Sequence, residues 1–215
     1  MIDAVLFVCS MNVCRSPLMQ WTLSQALTNS EEFPVRVTSR GIDAKNGNAI
    51  CPVSGTIMEE LDGGKQFLKT HASAPLLPAD LLQPQLVIVA SRAERASIAR
   101  HAPSLRPLTF TLREANLLGA APATREEIAT VARIEAAREE PLPLWGYPEL
   151  LHRRRGTISI AQRGGPYRQR WHPLDLPDAH LGRRAEHRLT LRTVHSESLL
   201  LAKGLLAFRD IHQNI

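Results

Sequence analysis

The sequence predicts a layered α/β fold, a mainly parallel four-stranded sheet with helices on both faces, three layers in all. Three observations predict it. Short apolar, β-branched runs alternate with longer stretches that carry helix-start signals, the pattern of strand, crossover and strand. The first apolar run, Ala4-Val-Leu-Phe-Val8, is continuous rather than alternating, as a strand covered on both faces requires. The chain also closes on a long segment whose apolar residues recur at helical spacing, which suits a helix docked on such a sheet.

The elements follow in order. After the strand ending near Val8, Ser16 is placed to cap a helix, Pro17 to occupy its first position, and Leu18 to Leu27 supplies good helix formers. Val35 to Ser39 reads as a second strand, Pro52 to Leu61 as a helix, and Leu86 to Ala90 as a third strand. Arg92 to His101 reads as a helix and Leu108 to Thr111 as a fourth strand. Thr124-Arg-Glu-Glu127 is a capping box that opens a helix to about Arg138. Prolines 141, 143 and 148 and Gly164-Gly165-Pro166 then interrupt the pattern, as loops do. Between about Ala185 and Ile211, Leu191, Val194, Leu201, Leu205 and Phe208 share one helical face. Residues 1–215 therefore read as one domain, with a helical and arginine-rich insertion at about 119–170.

The 215 residues, 44% hydrophobic and 22% charged, fit one folded core and exclude a disordered or fibrous chain. Three cysteines are too few for a disulfide scaffold and point to a reducing, cytoplasmic setting. Ala4 to Cys9 is too short for a signal peptide or a membrane span. The net charge of +5 is local. Between His152 and Arg170 lie six arginines and no acid, so the remainder of the chain is slightly negative.

The chemistry concentrates in Cys9-Ser-Met-Asn-Val-Cys-Arg15-Ser16-Pro17, between the first strand and the first helix. Backbone N–H groups of such a loop face a common centre, and the helix start adds positive potential, so a phosphate-sized anion is held there. The cradle is Ser10, Met11, Asn12, Val13, Cys14, Arg15 and Ser16. Cys9 lies beneath it, where the same field favours a nucleophilic thiolate. Arg15 offers a planar fork for two phosphoryl oxygens, and the Ser16 hydroxyl is in range to hydrogen-bond the sulfur. A cysteine at a strand end is also commonly a small buried hydrophobe; the flanking strand and helix opener argue against that here.

Val8-Cys-Ser-Met-Asn-Val-Cys-Arg-Ser-Pro17 resembles the signature of the low-molecular-weight protein tyrosine phosphatases. Ser39-Arg-Gly41, His71-Ala-Ser73, Leu86-Val-Ile-Val89 and Asp175-Leu-Pro-Asp178 resemble further stretches of that family. The resemblance implies hydrolysis of phosphotyrosine esters in two steps: attack by Cys9, with Arg15 stabilising charge and Asp178 protonating the leaving oxygen, then hydrolysis of the phosphocysteine. It implies no cofactor and no metal, and Cys51 has no partner at metal-ligand spacing along the chain. It makes Asn12, Ser16, Ser39 and His71 a supporting network and Cys14 a redox partner of Cys9. It makes the partner a phosphotyrosine protein, such as a bacterial tyrosine kinase or an exopolysaccharide-pathway protein.

The sequence departs from the family pattern at Met11, where the family has Gly, and at Ala179 and His180, where it has Pro and Tyr. A side chain at a positive-φ position is disfavoured, and the missing Tyr removes an aromatic wall. Two rivals share the loop: a thiol-dependent arsenate reductase, which needs a further cysteine pair, and a non-catalytic phosphate-binding module. The arginine segment has two readings, a solvated insertion or a patch steering acidic substrates to the site. Tyr167 and Trp171 alone supply stacking aromatics beside it, so nucleic acid is not the expected partner.

Overall fold

The computed structural model describes residues 3–28, 35–61, 63–82, 86–137, 143–157 and 171–212. Its four strands are β1 (Asp3–Cys9), β2 (Val35–Gly41), β3 (Leu86–Val89) and β4 (Thr109–Thr111), and its first helix is α1 (Arg15–Thr28). The strands form one all-parallel sheet in the order β2-β1-β3-β4. The chain leaves β1 to build β2 on one side and returns to build β3 on the other. A crevice therefore opens at the carboxyl end of β1, where parallel sheets bind ligands.

The pleat of β1 separates two cores. Val5, Phe7 and Cys9 pack with Leu86, Ile88 and Phe110 against the helices α1, α5 (Leu112–Gly119) and α8 (Arg184–His212). Leu6, Val8, Val87 and Val89 face Ile98 of α4 (Arg92–His101), with Ile42, Leu76, Leu81 and Leu105 around them. Both faces are covered, which is why the sequence of β1 shows no polar alternation. Each fully buried side chain such as Phe7 contributes about 1.5–3 kcal/mol. The predicted stripe of α8, Leu191, Val194, Leu201, Leu205 and Phe208, is buried along its whole length.

Capping side chains close several helix starts, that of α6 where the sequence predicts it. Thr124 and Glu127 exchange hydrogen bonds of 3.2 and 2.8 Å to open α6 (Arg125–Ala136). Thr111 and Glu114 do the same at α5, and Ser91 caps α4. The expectation for α1 is corrected. The helix already begins at Arg15, and Ser16 lies inside its first turn because the hydroxyl is engaged by the loop before it. Two further helices, α2 (Pro52–Glu60) and α3 (Gly64–Thr70), follow β2.

Among the described residues of the middle of the chain, those of one further helix are packed into the core. In α7 (Tyr147–Arg153), Tyr147, Leu150 and Leu151 are buried. A Cβ on Gly119 of α5 or Gly204 of α8 would come within 2.4 or 2.7 Å of the Tyr147 hydroxyl, so these two glycines make the slot the ring occupies.

Candidate active site

Cys9 ends the central strand and is 2% exposed. The Asn12 amide donates to its Sγ at 3.3 Å, and the Ser16 hydroxyl lies 3.1 Å from it. Asn12 holds the turn. It adopts φ 54°, a left-handed conformation that Asn tolerates better than most residues. Its Nδ2 donates to Ser16 Oγ at 2.9 Å and Ser39 Oγ at 2.8 Å, and its Oδ1 accepts from the Ala74 amide at 3.0 Å. The Asn12 carbonyl lies 3.1 Å from His71 Nε2. A carbonyl only accepts, so that nitrogen carries the proton, and burial lowers the pKa of the ring and keeps it neutral. Hydrogen bonds through Asn12 thus join Ser16, Ser39 and His71.

The doubt over Met11 is resolved by the same geometry. The positive φ belongs to Asn12 and not to Met11, whose side chain is 37% exposed. A side chain at position 11 therefore meets no backbone penalty of the kind a missing glycine implied. Ser10, Val13 and Cys14 complete the turn, and Ile42 and Asp43 of the segment after β2 donate their amides to the Cys9 and Ser10 carbonyls at 3.0 and 2.9 Å.

Arg15 is 5% exposed and lies between two acids. Nη2 meets Asp178 Oδ2 at 2.5 Å, Nη1 donates to the Leu176 carbonyl at 3.1 Å, and Glu94 Oε1 is 3.7 Å away. Burial opposes the charge on Arg15, but the fields of Cys9, Glu94 and Asp178 outweigh it and raise the pKa. The two aspartates separate clearly. Asp175 accepts from the Arg92 amide at 2.8 Å at the start of α4, a structural duty, whereas Asp178 faces the arginine of the loop.

A second cluster adjoins the loop. Cys14 Sγ lies 3.1 Å from His180 Nδ1, and the His180 and His187 rings meet edge to face with centroids 5.3 Å apart. Cys51 caps α2, accepting from the Ser54 amide at 3.4 Å, and its own amide donates to the Val13 carbonyl at 2.8 Å. A hydrogen bond with Cys51, reinforced by burial, pushes the Cys14 thiol up. The same hydrogen bond pushes Cys51 down against its burial, aided by the Ser54 amide and His180. The chain-spacing argument that left Cys51 without partners is corrected: folding brings it to Cys14 and two histidines. All three thiols are free.

Arg153, Arg154 and Arg155 are each paired within the fold. Arg154 forks onto Glu127 at 2.7 Å through two nitrogens and onto the carbonyls of Leu118, Ala121 and Pro122. Arg155 pairs with Glu114 and lies 4.0 Å above the Phe110 ring, and Arg153 pairs with Glu149 one turn away. Arg154 and Arg155, just past the end of α7, dock it onto α5 and α6, whereas the Arg153 pair lies within α7. Arg163, Arg168, Arg170, Tyr167 and Gly164-Gly165-Pro166 lie outside the described residues.

Several supporting residues escaped the sequence reading. Gln20 accepts from Ser39 Oγ at 2.6 Å, Asp43 accepts from Ser10 Oγ at 3.3 Å, and buried Glu94 faces Arg15. Only Glu94 had a local signal, as the third residue after the helix-capping Ser91.

The model of the low molecular weight phosphotyrosine protein phosphatase family matches residues 4–114. A protein-arginine-phosphatase of Bacillus subtilis is 30% identical over 111 residues, 51% of this chain and 70% of that protein. A probable low molecular weight protein-tyrosine-phosphatase of Ralstonia solanacearum is 31% identical over 116 residues, 53% of this chain and 73% of that protein. In structure, the chain is similar to the YwlE arginine phosphatase of Geobacillus stearothermophilus, with a TM-score of 0.60 and 18% identity over 98% of this chain and 97% of that one.

Proposed function

The chain belongs to the low molecular weight phosphotyrosine protein phosphatase family, and from that premise we propose that it hydrolyses phosphotyrosine esters of proteins through a phosphocysteine on Cys9. One observation carries the reading. A sulfur at the end of the central strand accepts from the Asn12 amide, while the arginine six residues on reaches Asp178 at 2.5 Å, so nucleophile, cradle, cation and acid share one crevice.

The steps follow from that arrangement. The phosphoryl group settles on the loop amides and the Arg15 fork, which exchanges its Asp178 partner for phosphoryl oxygens. Cys9 sulfur attacks phosphorus in line. The S–P bond forms as the P–O bond to tyrosine breaks, and the proton on Asp178 passes to the leaving oxygen. Water then attacks phosphorus, its proton returns to Asp178, and the S–P bond breaks. The Ser16 hydroxyl, 3.1 Å from the sulfur, stabilises the thiolate that departs. Amides fixed before the reaction stabilise the charge spread over the transferring group.

The substrate is read as a phosphotyrosine protein of a cytoplasmic pathway, a bacterial tyrosine kinase or an exopolysaccharide-pathway protein among them. Residues 119–170 are read as an addition to a single phosphatase-like domain. No described helix is long and apolar enough to cross a membrane. A phosphoarginine substrate is the second reading. The Bacillus relative is named for that activity, and Ala179 and His180 replace the Pro-Tyr pair expected beside phosphotyrosine.

Rapid-quench mixing with radiolabelled phosphotyrosyl and phosphoarginyl peptides of equal flanking sequence tests both. Label on the parent protein, absent from Cys9→Ala, is the expected result, and the peptide that labels faster identifies the substrate class. Neither label nor turnover with either peptide overturns the enzyme reading.

A further inference from the structure

Four side chains from four separate parts of the chain converge beside the phosphate loop. Cys14 ends that loop, Cys51 caps α2, His180 follows Asp178, and His187 lies in the first turn of α8. One ligand atom from each, two sulfurs and two imidazole nitrogens, lies within 4.8 Å of every other. We infer that these four residues form a tetrahedral Cys2His2 site for a zinc-class divalent cation, adjoining the phosphate cradle at Cys14.

The donor set favours this metal class. Two thiolates and two neutral imidazoles suit Zn2+, and paired thiolates disfavour Mg2+ and Ca2+. With Zn–S of about 2.3 Å and Zn–N of about 2.0–2.1 Å, a tetrahedral ion sets its ligand atoms about 3.3–3.8 Å apart. The Cys14–His180 pair is already at 3.1 Å, and the outer limit of 4.8 Å requires closure of about 1 Å. The edge-to-face histidine rings let their nitrogens converge without overlap. Two thiolates cancel the charge of the ion, which makes a site of this kind compatible with burial.

The surroundings are those of a prepared site. The Ser54 amide donates to Cys51 Sγ, the arrangement by which outer partners orient a thiolate ligand, and the Ser54 hydroxyl donates to the Cys14 carbonyl at 3.2 Å. Cys14, Cys51 and His187 are buried, while His180 is exposed and marks the side from which a hydrated ion enters. On binding, two metal–sulfur bonds form, the thiol protons of Cys14 and Cys51 pass to water, and each imidazole donates a lone pair. Nothing is oxidised or reduced. Because Cys14 precedes Arg15 and His180 follows Asp178 by two residues, a bound ion pins the segment carrying Asp178 to the phosphate loop and to α2.

The test uses the full-length protein, reduced and stripped with chelator, titrated with Co2+ and then Zn2+. One equivalent of Co2+ is expected to give the intense visible bands of a tetrahedral ion with sulfur-to-cobalt charge transfer, and Zn2+ is expected to abolish them. Zn2+ is also expected to raise Tm. Cys51→Ser and His187→Ala should each weaken Zn2+ binding at least tenfold, and Cys9→Ser should not. His180→Ala, at an exposed position, gives the same readout if a buried variant fails to fold. Weak octahedral bands, or binding lost in Cys9→Ser and retained in Cys51→Ser, would place the metal elsewhere and overturn the site. Turnover is not read, so this inference and the phosphatase reading fail separately.

Discussion

Gly41→Ala perturbs the phosphate loop from a residue outside it. Gly41 ends β2 in register with Cys9, and a Cβ built on it would lie 2.6 Å from the Ser10 carbonyl oxygen, 2.7 Å from Ala44 Cβ and 2.8 Å from the Asn12 nitrogen. Ordinary contact begins at 3.4 Å, so the Ser10 carbonyl must retreat by 0.8 Å. Two of the three obstructing atoms are backbone and cannot rotate aside. Overpacking of this kind costs about 1–3 kcal/mol, a fall in Tm of about 2–12 °C for a chain of this size. The larger effect is on chemistry. Misplacing a reacting group by about 1 Å costs on the order of 100-fold, and Ser10 and Asn12 both belong to the cradle proposed to hold the phosphoryl group. The assay is kcat toward p-nitrophenyl phosphate beside thermal unfolding, with Gly55→Ala as the control. Gly55 lies in α2 with its nearest neighbour at 3.6 Å, so alanine there should stabilise by about 0.5–1 kcal/mol and leave kcat intact. A Gly41→Ala protein with kcat within about threefold of the parent and unchanged Tm refutes the claim that this contact sets the loop.

Three other outcomes are expected. Asp178→Asn should lower kcat by about 10²–10⁴-fold toward phenyl phosphate and by much less toward p-nitrophenyl phosphate, whose leaving group needs little protonation; equal losses would remove Asp178 from the acid role. Asn12→Ala and Asn12→Gly both lose the network, but alanine also pays the strain of φ 54°, so its stability should lie below that of the glycine variant by about 1 kcal/mol; equal unfolding midpoints would refute strain at this position. The Arg154 guanidinium holds Glu127 down at about 2, from an ordinary 4.5. A depressed carboxylate stabilises the fold above its unfolded value and loses that contribution as pH falls through the folded one. Glu127→Gln should therefore lower Tm at pH 7, with the gap to the parent closing between about pH 4.5 and 2, and a gap that stays constant would refute the linkage.

Much of the fold was legible because its signals are local. The unbroken apolar run of β1 announces a strand covered twice, the capping box at Thr124 announces a helix, and the stripe from Leu191 to Phe208 announces a docked helix. Helices α3, α5 and α7 were missed. α3 opens on Gly63-Gly64 without a side-chain cap, and α7 on Gly146 and Pro148, signals that read equally well as loop.

The sequence by itself pointed to a phosphate-binding loop, because strand, turn and helix are contiguous there and such a cradle is made of backbone close in the chain. The family resemblance favoured Asp178 over Asp175 as the acid. Tertiary structure decided what lies far apart along the chain. It put the left-handed conformation at Asn12 and not at Met11, drew Glu94 and Asp178 to one guanidinium, and made struts of α7 from the arginines at 154 and 155, which the sequence left open between a solvated insertion and a steering patch. It also gathered Cys14, Cys51, His180 and His187. Spacing along a chain reports neighbours within a few residues; contacts between elements depend on how sheet and helices pack, which no local pattern records.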